Sequence, residues 1–86
     1  MKAVISVIGK DRVGILAWVA NECADANMNI LDVSQTIVDD IFTMTMVIEC
    51  TNDLAPFAQH MESVGKEKEL VIRVMHQDIF NSMHRI

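Results

Sequence analysis

A chain of 86 residues has room for one small domain, and an apolar content of 51% is enough to fill a single core. The formal net charge of −5 excludes binding driven by neutralisation of nucleic-acid phosphates, since the seven basic residues are scattered rather than striped. No apolar run has the length to span a bilayer and no signal-peptide pattern opens the chain, so the reading is a soluble, cytoplasmic protein with no membrane partner.

Ala3 to Ile8 is apolar on nearly both faces, which predicts a short strand in the interior of a sheet. The run Gly9-Lys10-Asp11-Arg12-Val13-Gly14-Ile15 joins it to an amphipathic helix read over 14–26. Leu16, Val19, Ala20 and Cys23 form that helix's apolar stripe, and Trp18 falls nearly opposite, on the outer face, where it is a candidate partner contact. The helix runs out at Asn27, a residue type that tolerates left-handed geometry. Residues 30–38 alternate Leu31, Val33, Gln35 and Ile37 against Ile30, Asp32, Ser34 and Thr36, a strand with one face apolar and the other mixed. Asp39-Asp40 turns the chain into a third strand, in which Phe42, Met44, Met46 and Ile48 alternate with Thr43, Thr45 and Val47.

Asn52 or Asp53 caps a second helix with Pro56 in its first turn and a stripe of Leu54, Phe57, Ala58, Met61 and Val64. Gly65 reads as that helix's end, unless Lys66-Glu67-Lys68-Glu69 extends it another turn with a solvated charged face. A final strand covers 70–77, with Leu70, Ile72, Val74 and His76 on one side. A helical tail over 78–86 has Asp78 as a possible cap and Ile79, Phe80 and Met83 at helical spacing.

The order strand, helix, strand, strand, helix, strand is that of the ferredoxin-like α+β sandwich, βαββαβ. Right-handed crossovers put both helices on one face of a four-stranded antiparallel sheet. The other face is then uncovered in a chain whose strands are apolar on two sides, which predicts a homodimer or a higher homo-oligomer.

The loop from Gly9 to Ile15 carries the strongest chemical signal. A helix N-terminus leaves its first N–H groups without internal partners and carries partial positive charge, so this junction suits a carboxylate if Gly14 lets the backbone approach closely. The plainer reading is that Gly9 and Gly14 only shape a tight turn. Elsewhere the residues argue against catalysis and cofactors. No serine has a base beside it, and Cys23 and Cys50 form no CxxC pair and fit reduced thiols, Cys23 as a small core residue. His60, His76 and His84 share no metal-ligand spacing with the cysteines, and Met44, Met46, Met61 and Met75 occupy core-like positions. The absence of CxxC after the first strand argues against a copper chaperone, and the lack of exposed aromatics on the central strands against RNA binding.

The run Asp11-Arg12-Val13-Gly14-Ile15-Leu16, followed by Asn27-Met28-Asn29-Ile30 at the entry to the second strand, resembles the ACT domain family over essentially the whole chain, 1–86. The tail from His76 to Ile86 is similar to small stand-alone bacterial and archaeal ACT proteins related to glycine-cleavage regulators. The resemblance implies a non-catalytic regulatory module that binds a small molecule, an amino acid, at a dimer interface and passes its occupancy to a partner protein. In such pairs the ligand lies between the first loop of one subunit and the second strand of its neighbour. Carried onto this chain, Asp11, Arg12, Val13, Gly14 and Ile15 line the loop side, and Asn29, Ile30 and Leu31 the facing strand. Amides near Gly14 would receive an α-carboxylate, while Asn29 or Asp11 engages the α-ammonium and Arg12 assists the carboxylate. The histidine and asparagine pair of serine-sensing ACT domains is replaced here by Lys10, Asp11 and Arg12, so no particular amino acid is implied. Two alternatives stay open: a ligand-free dimerisation module, and an acylphosphatase-like hydrolase in which Arg12 and Asn29 bind phosphate and orient water.

Overall fold

The structure, a computed structural model, describes residues 1–51 and 53–83. The chain runs β1 (Lys2–Lys10), α1 (Ile15–Asp25), β2 (Asn29–Val38), β3 (Ile41–Glu49), α2 (Leu54–Glu67), β4 (Leu70–His76) and α3 (Gln77–Met83). The sheet order is β2-β3-β1-β4 with every neighbouring pair antiparallel, the ferredoxin-like arrangement expected from the element order. β1 is interior because both of its faces are apolar. Its register with β3 runs unbroken from Lys2 opposite Glu49 to Lys10 opposite Ile41.

One buried cluster joins Ala3, Ile5 and Val7 of β1, Phe42, Met44, Met46 and Ile48 of β3, and Leu70, Ile72 and Val74 of β4 to both helices. α1 contributes Ile15, Val19 and Cys23, and α2 contributes Leu54, Phe57 and Met61. Alternation of strand side chains therefore puts both helices on one face. On the reverse face Ile8, Ile41 and Val71 are exposed, whereas Val4 is buried at the end of the sheet where α3 packs against β1 and β4. No helix among the described residues is long and apolar enough to cross a membrane.

Local chemistry sets the helix ends. α1 closes in a Schellman motif: the Met28 N–H donates to the Cys23 carbonyl at 2.8 Å and the Asn27 N–H to the Ala24 carbonyl at 3.0 Å. Asn27 takes the left-handed conformation this requires, with φ 58, and buried Met28 supplies the apolar contact. Asp53, one of the two expected caps, accepts from the Ala55 N–H at 3.2 Å; Asn52 lies outside the described residues. α3 begins at Gln77, so Asp78 lies inside its first turn and is not its cap.

Several expectations are corrected. The α1 stripe runs through Ile15, Val19 and Cys23, and Leu16 is 39% exposed. Anchoring on Ile15 rotates the buried face toward Trp18, which is half-buried against the core rather than free on the outer face. In β2 a register shift between Ile30 and Asp32 leaves Leu31 as a bulge. The bulge puts Ile30 in phase with Val33, Gln35 and Ile37 on the helix side and takes Leu31 out of that set. Gly65 is not a helix end. It is buried inside α2, where an added Cβ would lie 2.8 Å from Ile72 Cδ1 and 3.2 Å from the Leu70 carbonyl oxygen. The chain leaves α2 later, at Lys68, with Glu69 left-handed at φ 61.

The glycine is therefore what lets α2 sit on β4. Gly65→Ala gains up to about 1 kcal/mol of helix propensity but overpacks the Ile72 side chain at a typical cost of about 1–3 kcal/mol. Chemical denaturation should show net destabilisation of about 1 kcal/mol, relieved in part by Ile72→Val.

The Cys23 thiol is fully buried, donates to Met46 Sδ at 3.9 Å, and is pushed up from 9.0 to about 11, first by burial and then by the Glu22 carboxylate. Between these values the folded chain holds a proton that the unfolded chain has lost, so stability falls as pH rises from 9 to 11 and this thiol contributes nothing below 9. Denaturation at stepped pH should show a loss of up to roughly 3 kcal/mol from this group. In Cys23→Ala the pH slope should flatten.

Candidate functional site

Gly9 lies within β1, opposite Leu70, so the connection between β1 and α1 is shorter than the glycine spacing suggests. What remains is strapped on both flanks. The Asp11 N–H donates to the Asp40 carbonyl at 2.7 Å, tying the loop to the turn between β2 and β3, where Asp39 is left-handed at φ 56. On the other side Arg12 Nη2 donates to the Lys68 carbonyl at the C-terminus of α2. That position suits a guanidinium, because the last carbonyls of a helix lack internal donors and carry partial negative charge.

Between the straps the loop reaches solvent. Val13 is 103% exposed, and Gly14 occupies the N-cap of α1 at φ 95 with no side-chain cap. Its carbonyl accepts the first helical bond, from the Trp18 N–H at 2.9 Å. No acidic residue lies in the first turn, so the positive end of the helix is left uncompensated by its own sequence. The Ile15 side chain is 4% exposed and turned into the core, so that residue offers only backbone to the loop surface.

The loop forms one side of a cleft of ≈ 210 Å³ whose other side is Trp18, Glu67, Lys68 and Leu70. Lys68 Nζ lies over the Trp18 ring, 5.0 Å from its centroid. Two cations, Arg12 and Lys68, face one carboxylate, Glu67, so the cleft favours an anionic group. The charged run 66–69 gave no hint of this, because only the fold carries the end of α2 back beside the start of α1.

Asn29, Ile30 and Leu31 lie elsewhere. Asn29 pairs with Glu49, which pairs with Lys2, so the start of β2 is level with the start of β1. The loop is at the other end of the sheet, about eight residues or roughly 26 Å away. Asn29 is exposed, Ile30 is half-buried against the core, and the bulged Leu31 is 45% exposed. One copy therefore does not bring the two expected walls together. Arg12 and Asn29 of one chain likewise do not meet on one phosphate, as the hydrolase reading needs them to.

A larger cleft of ≈ 490 Å³ opens between the other ends of the helices, lined by residues that include Glu22, Asp25, Met28, Phe57 and His60. His60 Nε2 pairs with Glu22 Oε2 there at 2.9 Å. Among the described residues no group of three or more His, Cys, Asp and Glu gathers to hold a metal ion.

Comparison with known proteins bears on the family and the fold. The chain is 44% identical to a UPF0237 protein of Methanocaldococcus jannaschii, over 99% of its own length and 98% of that protein. It is 43% identical to a UPF0237 protein of Listeria innocua over the whole of both. An ACT domain protein from Streptococcus pneumoniae superposes with a TM-score of 0.82 at 36% identity, covering 93% of each chain. A formyltetrahydrofolate deformylase from Pseudomonas syringae contains a similar unit, with a TM-score of 0.77 at 26% identity, which covers 87% of this chain and 27% of that enzyme. The ACT domain model matches residues 3–66, so a strapped loop, an uncapped helix start and a ferredoxin-like sheet come together in a chain that belongs to the ACT domain family of regulatory, small-molecule-binding modules.

Proposed function

We propose that this chain is a non-catalytic, cytoplasmic sensor that binds an amino acid between its β1–α1 loop and the start of β2 from a second copy, and passes its occupancy to a regulated protein. The observation that carries this reading is the loop itself. It presents an open apex at Val13 and Gly14, beside an uncapped helix N-terminus, while both flanks are held in place. Such a site meets an α-carboxylate with preorganised N–H donors.

The second copy is motivated by β2. It is an edge strand of 10 residues with Val33 37%, Ile37 50% and Val38 62% exposed. α1, with 11 residues, is only about half as long as β2, since a helix rises roughly 1.5 Å per residue and a strand about 3.3 Å. Most of the edge is therefore uncovered, and an unpaired, apolar edge recruits another strand. Antiparallel pairing about a two-fold axis sets the Asn29 end of one copy against the Val38 end of the other, on the side of the loop. Asn29 then supplies an acceptor for the α-ammonium, while Asp11 supplies a carboxylate from the loop.

Thermal-shift and calorimetric screening of the amino acids tests the reading. A true ligand at a hundred times its dissociation constant should stabilise the fold by about 2.7 kcal/mol. Gly14 has φ 95 and an added Cβ would meet nothing within 4 Å, so Gly14→Ala should cost only backbone strain, about 1–2 kcal/mol, and keep measurable binding. Gly14→Asp places a carboxylate at the amides and should abolish binding while leaving the dimer intact; unchanged affinity would sink the loop assignment. Sedimentation at micromolar concentration should give a dimer that Ile37→Lys dissociates. A monomeric wild type that still binds would remove the shared site.

A further inference from the structure

Arg12 is turned away from the place that the shared site assigns to the ligand. Its guanidinium reaches the Lys68 carbonyl on the β4 side of the loop, whereas the edge open to a second copy is β2, on the other side of the sheet. Lys68 then lays its ammonium over the Trp18 ring, and the Trp18 backbone N–H closes back onto the Gly14 carbonyl. These contacts form a closed ring: Arg12 to Lys68, Lys68 to Trp18, Trp18 to Gly14, and Gly14 through Val13 to Arg12. The ring joins the loop and the adjoining first turn of α1 to the junction between α2 and β4, 56 residues from Arg12.

Resting on the amino-acid reading above, we propose that Arg12 is a latch: with the loop empty it caps α2 and holds Lys68 on Trp18, and a carboxylate at the Gly14 amides draws it away and loosens the junction. The exchange is favourable by its chemistry. A backbone carbonyl offers the guanidinium one neutral acceptor, whereas a carboxylate offers two charged oxygens in bidentate geometry, which adds a second hydrogen bond and the attraction of opposite charges. Arg12 needs only to swing, since Val13 beside it is fully exposed and no described residue covers that apex. Losing Arg12 leaves the last carbonyls of α2 without that donor just where Glu69 is held left-handed, and β4 begins at the next residue. Occupancy at the loop thereby becomes a change at the β4 edge, the edge that a β2-paired dimer leaves open to a regulated partner.

Trp18 is the only tryptophan, so its emission reads the state of the ring. In ligand-free protein Arg12→Ala should shift Trp18 emission and speed amide exchange at residues 68–70 by about tenfold, as expected for local opening. Lys68→Met keeps the carbonyl and removes only the ammonium, so it should shift emission while leaving exchange slow. Titrating wild type with sodium acetate should reproduce the Arg12→Ala spectrum, whereas sodium chloride at the same ionic strength should not, and Arg12→Ala itself should not respond to acetate. Unchanged emission and exchange in Arg12→Ala, or identical responses to acetate and chloride, would overturn the latch. If acetate acts as described but no amino acid stabilises the fold, the latch stands and the amino-acid reading falls.

Discussion

The rest of the structure depends on β1 being buried on its helix side and hydrogen-bonded along both edges. Ala3, Ile5 and Val7 are completely excluded from water, and β3 and β4 both pair with the strand for most of its length. A strand so enclosed cannot slip by one residue without turning its apolar set away from the core. Its end is therefore a fixed point, and the loop that leaves it at Lys10 inherits that fixity. The β3 side delivers the Asp40 carbonyl to Asp11, and the β4 side delivers the Lys68 carbonyl to Arg12. An exposed loop is in this way positioned by an interior strand of the sheet.

Close packing also positions the end of α2. Gly65 allows the helix to lie against Ile72 closely enough that even a methyl group would collide. That close approach brings the end of α2, with Lys68, back over the start of α1 and builds the cleft beside Gly14. The two helices leave an open groove at their other ends, bridged by Glu22 and His60 at 2.9 Å. The helix layer is thus joined at the loop end through Trp18 and Lys68, and at the far end through one polar pair.

β2 contrasts with the rest of the sheet. Its bulge at Leu31 re-phases the strand so that Val33 and Ile37 point to the helix side, yet both stay exposed there. Apolar residues left exposed along an unpaired strand leave the edge incomplete in a single chain. The start of this strand and the loop lie at opposite ends of the molecule, so a site that uses both needs a second copy.

The sequence by itself determined the element order, the central position of β1, the hairpin at Asp39-Asp40 and the left-handed end of α1 at Asn27. Each of these rests on local periodicity or on the conformational preference of one residue type, which neighbours in the chain suffice to express. It also marked the loop around Gly14, because only a residue tolerant of positive φ suits that N-cap. Tertiary structure alone decided the rest. Whether Leu16 or Ile15 anchors α1 turned on which face of the helix meets the sheet, and with it the burial of Trp18. Gly65 has the composition of a helix end, and only the proximity of Ile72 made it a contact point. The partnership of Arg12 with Lys68, 56 residues away, left no periodic or compositional trace, because a hydrogen bond to a backbone carbonyl constrains only one of its two residue types.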